Sequence, residues 1–96
     1  MTGALLARRT QRERLLDAVR TLIVERLRPD LPPTSIDPDV SLFGTGLGLD
    51  SVDAIELIIS VEATFGRRIP ETEEARSILR SVSTLVDWLT IQEALP

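Results

Sequence analysis

Length, composition and charge narrow the classes of protein to which this chain can belong. Ninety-six residues, 43% of them hydrophobic, are enough for one domain with a single modest core. The chain contains no Cys, His, Lys or Tyr, which excludes disulfides, thiolate metal sites and nucleophiles activated by a neighbouring His or Lys. Residues 1–28 carry seven Arg and three acidic residues, whereas residues 29–96 carry four Arg and twelve acidic residues, which gives a net charge of −4.

The N-terminal part of the chain is predicted to form an amphipathic helix from about Thr10 to Arg28. Its apolar residues recur at helical spacing and are Leu15, Leu16, Val19, Leu22, Ile23 and Leu27. The arginines of this segment are interleaved with acids, and the segment has no aromatic residue on which a base could stack. We therefore interpret the charges as a solvated helix face and expect no nucleic-acid partner.

The apolar run ALLA, residues 4–7, bears on localisation. It precedes Arg8 and Arg9, which is the reverse of the order in a signal peptide. No uninterrupted apolar run is longer than these four residues, so we expect no membrane span. The sequence predicts a cytoplasmic protein.

Prolines and glycines predict an irregular stretch between the first helix and Ser51. The residues concerned are Pro29, Pro32, Pro33, Pro38, Gly44, Gly46 and Gly48. Because such a loop is long for a compact domain, we expect it to be functional and to bury its own apolar residues. Those apolar residues are Ile36, Val40, Leu42 and Phe43.

The second helix is predicted from about Ser51 to Phe65, with Gly66 as its C-cap. Apolar residues surround much of the helix axis. A polar stripe at spacings of three and four, formed by Asp53, Glu56 and Ser60, is interpreted as the exposed face.

Two further helices complete the predicted fold. A short third helix is expected from Thr72 to Arg80 and a fourth from about Ser83 to Glu93, where the spacing of Thr84 and Asp87 offers an alternative start. No segment alternates with a period of two. The prediction is an all-α bundle of three main helices and one short helix, with a long loop between the first and second helices. We expect a monomer forming one domain over residues 1–96, with a core at about 12–92.

The motif GLGLDSV, residues 46–52, places the hydroxyl of Ser51 at a helix start. One interpretation is that Asp50 or Ser51 caps the helix, since Asp53 follows Asp50 at capping-box spacing. The other is that Ser51 is a point of covalent attachment, approached across uncluttered glycines. The motif alone leaves both interpretations open.

The segment GLDSV, residues 48–52, resembles the Gly-x-Asp-Ser-Leu pattern of the acyl carrier protein family. DAIEL, Phe65-Gly66 and Ile69-Pro70 follow in the family's order, and the resemblance covers about residues 12–92. It implies that Ser51, preceded by the motif residue Asp50, carries 4′-phosphopantetheine donated by coenzyme A. A separate phosphopantetheinyl transferase would attach the group, whose thiol carries acyl groups as thioesters. The chain would thus be a carrier and not an enzyme.

The resemblance also implies surfaces for partners and cargo. Acyl-transferring and condensing enzymes of fatty-acid, polyketide or specialised lipid synthesis would contact Val52, Asp53, Glu56 and Ile59. An acyl chain would fold back against residues that otherwise form ordinary core, namely Ile55, Leu57, Ile58, Val61 and Ile78.

Departures from the family pattern leave other functions open. Val52 replaces the usual Leu or Ile, and Ala63 and Thr64 stand where the family often has acids, which suggests a specialised carrier. A peptidyl carrier with the same serine is a related alternative, and an unmodified helical interaction domain is an alternative of another class. A metal site at Asp50, Asp53 and Glu56 is disfavoured, because three carboxylates supply too few ligands.

Overall fold

A computed structural model describes the backbone of residues 2–94 and the side chains of residues 11–92. Four α-helices follow in order: α1 (Thr2–Arg26), α2 (Ser51–Phe65), α3 (Glu74–Ile78) and α4 (Val82–Ala94). A 3-10 turn, Pro33–Ser35, interrupts the long loop between α1 and α2. The predicted all-α bundle of three main helices and one short helix is confirmed. The predicted domain boundaries, residues 1 and 96, lie outside the described residues.

Helix α1 forms the centre of the bundle and packs against both α2 and α4. Its buried residues are Leu15, Val19, Leu22 and Ile23, spaced so that they share one face. The helix begins eight residues before the expected start at Thr10. Residues before Thr10 are mostly Ala, Leu and Arg, which favour a helix by intrinsic propensity even where apolar spacing gives no signal.

Helix α2 begins and ends where the sequence predicts, at Ser51 and Phe65. Gly66 adopts a left-handed conformation (φ 67°) and its N–H donates to the Glu62 carbonyl at 3.0 Å, which closes the helix. The predicted outward face is wrong, because Ser60 is buried and Asp53 and Glu56 are half-buried. Val52, Ile55 and Ile59 lie on the exposed side instead.

Helices α3 and α4 pack against each other. Helix α3 is shorter than the predicted Thr72–Arg80, because the Thr72 hydroxyl accepts the Glu74 N–H at 3.3 Å and so precedes the helix. At the start of α4 the Ser81 N–H donates to Thr84 Oγ1 at 2.9 Å and the Thr84 N–H donates to Ser81 Oγ at 3.2 Å. This reciprocal pair, and not Thr84 with Asp87, caps α4.

The loop between α1 and α2 is fastened to the start of α4. The Leu42 N–H donates to the Arg80 carbonyl at 2.9 Å, and the Ser83 N–H donates to the Pro38 carbonyl at 2.9 Å. Ile36 and Leu42 are buried as expected, whereas Val40 is exposed, which corrects the prediction for that residue. The buried pair connects the loop to the main core.

Gly46 lies where the loop folds back on itself. A Cβ at this position would overlap the Ser41 carbonyl oxygen, which accepts the Leu47 N–H at 2.8 Å. Any larger residue must therefore displace backbone that leads to Ser51.

We predict that Gly46→Ala lowers the free energy of unfolding by about 2 kcal/mol or more, measured by urea denaturation with far-UV circular dichroism. Gly66→Ala, where a Cβ meets open space but φ is positive, should cost about 1 kcal/mol. The neighbouring exposed variant Thr45→Ala should stay within about 0.5 kcal/mol of the parent protein. Equal stability of Gly46→Ala and Thr45→Ala would contradict the overlap.

Candidate functional site

Ser51 is the first residue of α2, and its side chain is exposed. Within the described part of the chain, no hydrogen bond involves its hydroxyl, whereas the nearby Asp50 and Asp53 are bonded to each other. A serine at this position could have served as a cap, but here its hydroxyl projects toward solvent. The site is therefore an accessible oxygen held at a rigid helix end.

Asp50 is the N-cap of α2, which decides between the two candidates, Asp50 and Ser51, that the sequence left open. Its Oδ1 accepts the Asp53 N–H at 2.9 Å, and the Asp50 N–H donates to Asp53 Oδ2 at 3.0 Å. This is a capping box built from two aspartates. Because Asp50 satisfies the helix end, Ser51 is left free for another role.

The chain approaches the cap through a fixed turn at residues 47–49. Gly48 has φ 85°, a conformation that favours glycine. The Leu49 side chain is buried, and its N–H donates to the Leu42 carbonyl at 3.0 Å. The approach to Ser51 is thus anchored in the core.

Arg28, just beyond α1, contacts this approach. Its Nη1 donates to the Leu47 carbonyl at 2.9 Å, while Nε and Nη2 each donate to the Asp30 carboxylate at 3.1 Å. Hydrogen bonding to Asp30 raises the pKa of Arg28, and Asp53 adds to this shift by electrostatic attraction. The same hydrogen bond lowers the pKa of Asp30. No pattern in the sequence predicts this contact, because Arg28 and Leu47 are 19 residues apart.

An apolar groove of about 400 Å³ lies between α2 and α3. Ala54 and Ile58 line it from α2, and because they follow Ser51 by three and seven residues, the groove shares the face of the serine. The remaining lining residues are Phe43, Ala75, Arg76 and Leu79. Sequence reasoning assigned neither these four residues nor Ala54 to a cavity. Ala54 could have been found, because it follows Ser51 by three residues and so shares its helix face.

The predicted cavity residues separate into two groups. Leu57, Val61 and Ile78 are buried in the main core. Ile58 lines the groove beside α3, and with Ile55 it also lines a second depression of about 340 Å³. Ile55 is exposed, so the expectation that it forms ordinary core is wrong.

The predicted partner residues also differ in exposure. The exposed fractions of Val52, Ile55 and Ile59 are 71%, 60% and 56%. The carboxylate of Asp53 is engaged in the cap, and Glu56 accepts a long hydrogen bond of 3.4 Å from Ser60. The outer surface of α2 is consequently more apolar than the sequence suggested.

The carboxylates of Asp50 and Asp53, near Ser51, are potential metal ligands. Among the residues that the structure describes, no group of three or more His, Cys, Asp or Glu is arranged to hold a metal ion. In the same described residues, no helix has both the length and the apolar character needed to cross a membrane.

Comparison with known proteins gives the family. Residues 17–89 match the family model described as "Phosphopantetheine attachment site". The chain is 32% identical over 75 residues to the acyl carrier protein of Thermosynechococcus vestitus, covering 78% of this chain and 86% of that protein. It is 31% identical over 77 residues to the mitochondrial acyl carrier protein of Saccharomyces cerevisiae and 31% identical over 70 residues to mitochondrial acyl carrier protein 2 of Arabidopsis thaliana. These matches cover 80% and 73% of this chain, and 58% and 53% of those two relatives.

The matched segment contains Ser51, its cap and all of α2 and α3. The chain therefore belongs to the acyl carrier protein family of phosphopantetheine-attachment domains. Its prosthetic group is accordingly 4′-phosphopantetheine, and the chain is a carrier on which enzymes act.

The division of roles between Asp50 and Ser51 is testable by stability alone. We predict that Asp50→Ala lowers the free energy of unfolding by about 1 kcal/mol, because α2 loses its N-cap. Ser51→Ala should leave it within about 0.5 kcal/mol, because the exposed hydroxyl makes no hydrogen bond to any residue that the structure describes. Thermal and urea denaturation of both variants would measure the difference. An equal loss in Ser51→Ala would mean that Ser51 also caps the helix.

Proposed function

We propose that Ser51 is the residue to which 4′-phosphopantetheine is attached, and that the chain carries acyl groups in fatty-acid, polyketide or specialised lipid synthesis. The observation that carries this proposal is the exposed Ser51 hydroxyl beside an aspartate that already caps α2. A family model for phosphopantetheine attachment spanning residues 17–89 supports it.

The surroundings of Ser51 fit a phosphodiester. The dipole at the start of α2 favours a negative charge there. The carboxylates of Asp50 and Asp53 oppose that charge, which favours a substituent directed away from the helix. When bound, the group supplies a terminal thiol that carries acyl groups as thioesters.

Deprotonation of Ser51 requires help from another protein. The chain contains no His or Lys that could act as its base, and its Asp50 neighbour is held in the capping box. A phosphopantetheinyl transferase with coenzyme A is therefore the partner we propose for this step. The role of Ser51 is to present an unhindered oxygen at a fixed position.

Intact mass spectrometry tests this function. Incubation of the apo-protein with coenzyme A and a promiscuous phosphopantetheinyl transferase should add one phosphopantetheine to the parent protein and none to Ser51→Ala. Ser60→Ala is the matched control, since Ser60 lies on the same helix but is buried. It should be modified like the parent.

Absence of modification in the folded parent protein, with a known carrier modified in parallel, would contradict the proposal. It would favour an unmodified interaction domain.

We also propose that partner enzymes contact the outer face of α2, and that apolar contacts dominate there. Val52 and Ile59 are well exposed, and Ile55 lies between them on the same side. The acids predicted for this surface, Asp53 and Glu56, have intramolecular hydrogen bonds. Apolar burial supplies affinity without the salt dependence of exposed charges.

Loading by the transferase measures this surface directly. Ile59→Ser should lower kcat/KM by about fivefold, the loss expected for an apolar contact near the centre of an interface. The loss should persist at high salt. Ile91→Ser is the matched control, because Ile91 is 59% exposed on α4. Equal effects of the two variants would remove Ile59 from the interface.

The groove beside α3 is the proposed contact surface for an acyl chain. Ile58 lines it, whereas Leu57, Val61 and Ile78 form the packed core behind. An acyl chain that reached deeper than the groove would have to displace these core side chains.

We propose that the protein is a cytoplasmic monomer. Two of its relatives are named as mitochondrial.

A further inference from the structure

The Arg28 side chain bridges the end of α1 and the loop that leads to Ser51. Its exposed fraction is 34%, and its guanidinium makes hydrogen bonds through all three nitrogens. Nε and Nη2 donate to the Asp30 carboxylate and so fix the plane of the guanidinium, and Nη1 donates to the Leu47 carbonyl. The Asp30 pair alone would be an ordinary surface ion pair of little consequence. The bond to Leu47 gives the arrangement a second role.

Leu47 is held from both sides of its backbone. Its N–H donates to the Ser41 carbonyl, and its own carbonyl accepts from Arg28 at 2.9 Å. The following residues are Gly48, in a left-handed conformation, and the buried Leu49. Since Asp50 comes next, a shift of the Leu47 carbonyl reaches the cap within three residues.

We propose that Arg28 is a positioning residue for the modification of Ser51, because its guanidinium fixes the Leu47 carbonyl and thereby the place at which Asp50 enters α2. The inference rests on the proposed function of Ser51. Within the described residues, Arg28 makes no hydrogen bond to Asp50 or Ser51, so it acts through the loop.

The charge of Arg28 reinforces this role. It attracts Asp53, the carboxylate that accepts the Asp50 N–H. Asp50 and Asp53 lie side by side at the point where a phosphate would add further negative charge. A nearby guanidinium offsets part of that repulsion.

The test compares kcat and KM for phosphopantetheine transfer, with the carrier as the varied substrate. Arg28→Met removes the charge and all three donors. Arg28→Lys keeps the charge but lacks the planar fork needed to hold Asp30 and Leu47 together. We expect kcat to fall about tenfold in both variants, because a misplaced nucleophile slows the chemical step.

A merely structural role would give a different pattern. If the variant were only partly folded, the competent fraction would decrease, KM would rise in proportion and kcat would stay constant. Unchanged kcat for Arg28→Met, whether or not KM rises, overturns the proposal.

One control variant separates positioning from the loss of a surface ion pair. Arg12→Met removes the exposed ion pair with Asp87, which joins α1 to α4. It should keep kcat within about twofold of the parent, in line with the small contribution of surface ion pairs. A tenfold fall in Arg12→Met would show that any lost arginine has the same effect and would overturn the proposal.

A second readout requires no transferase. In ¹⁵N–¹H spectra of the apo-protein, Arg28→Met should shift the amide resonances of Asp50 and Asp53, whereas Arg12→Met should not. Unshifted cap resonances overturn the positioning role. Failure to modify the parent protein overturns the proposed function and this inference with it, whereas equal modification of parent and Arg28 variants overturns the inference alone.

Discussion

The reciprocal pair of hydrogen bonds between Asp50 and Asp53 is the interaction on which the site depends. A helix start leaves N–H groups unsatisfied, and a serine next to it would ordinarily be recruited to satisfy them. Here both halves of the capping box come from aspartates, at 2.9 and 3.0 Å. The Ser51 hydroxyl is consequently spared, and the helix end remains rigid behind it. Asp50 and Asp53 cap the helix, and Ser51 takes no part in the capping box.

Hydrogen bonds from acidic side chains also position the segments before and after α2. Glu62 accepts the Ile69 N–H at 2.9 Å and so fixes the chain after the helix, while Asp53 fixes the chain before it. Val52, Ile55 and Ile59 are the large apolar residues exposed on this helix. The loop before α2 is in turn tied to the start of α4 through Leu42 and Ser83. Ser51 therefore lies at the start of a helix whose two flanking segments are both held by hydrogen bonds.

Local signals in the sequence predicted what local interactions determine. The ends of α2 are set by Asp50 and Gly66, which act on backbone within a few residues. Both helix ends and the Gly66 cap were predicted correctly, whereas the motif left Asp50 and Ser51 as alternative N-caps. The outward face of α2 was not predicted correctly, because apolar residues surround much of the axis and the pattern alone does not determine which side is buried. The Arg28 contact was also inaccessible to sequence reasoning, since its acceptor is a backbone carbonyl that every residue possesses.

The central claim is that the free hydroxyl at the start of α2 is the attachment point. Fragmentation mass spectrometry of the modified parent protein tests it most directly, because it locates the added group on an individual residue. The account predicts phosphopantetheine on Ser51. Its appearance on another exposed hydroxyl of the same region, such as Ser41 or Thr45, would contradict the account even if the intact mass showed a single addition.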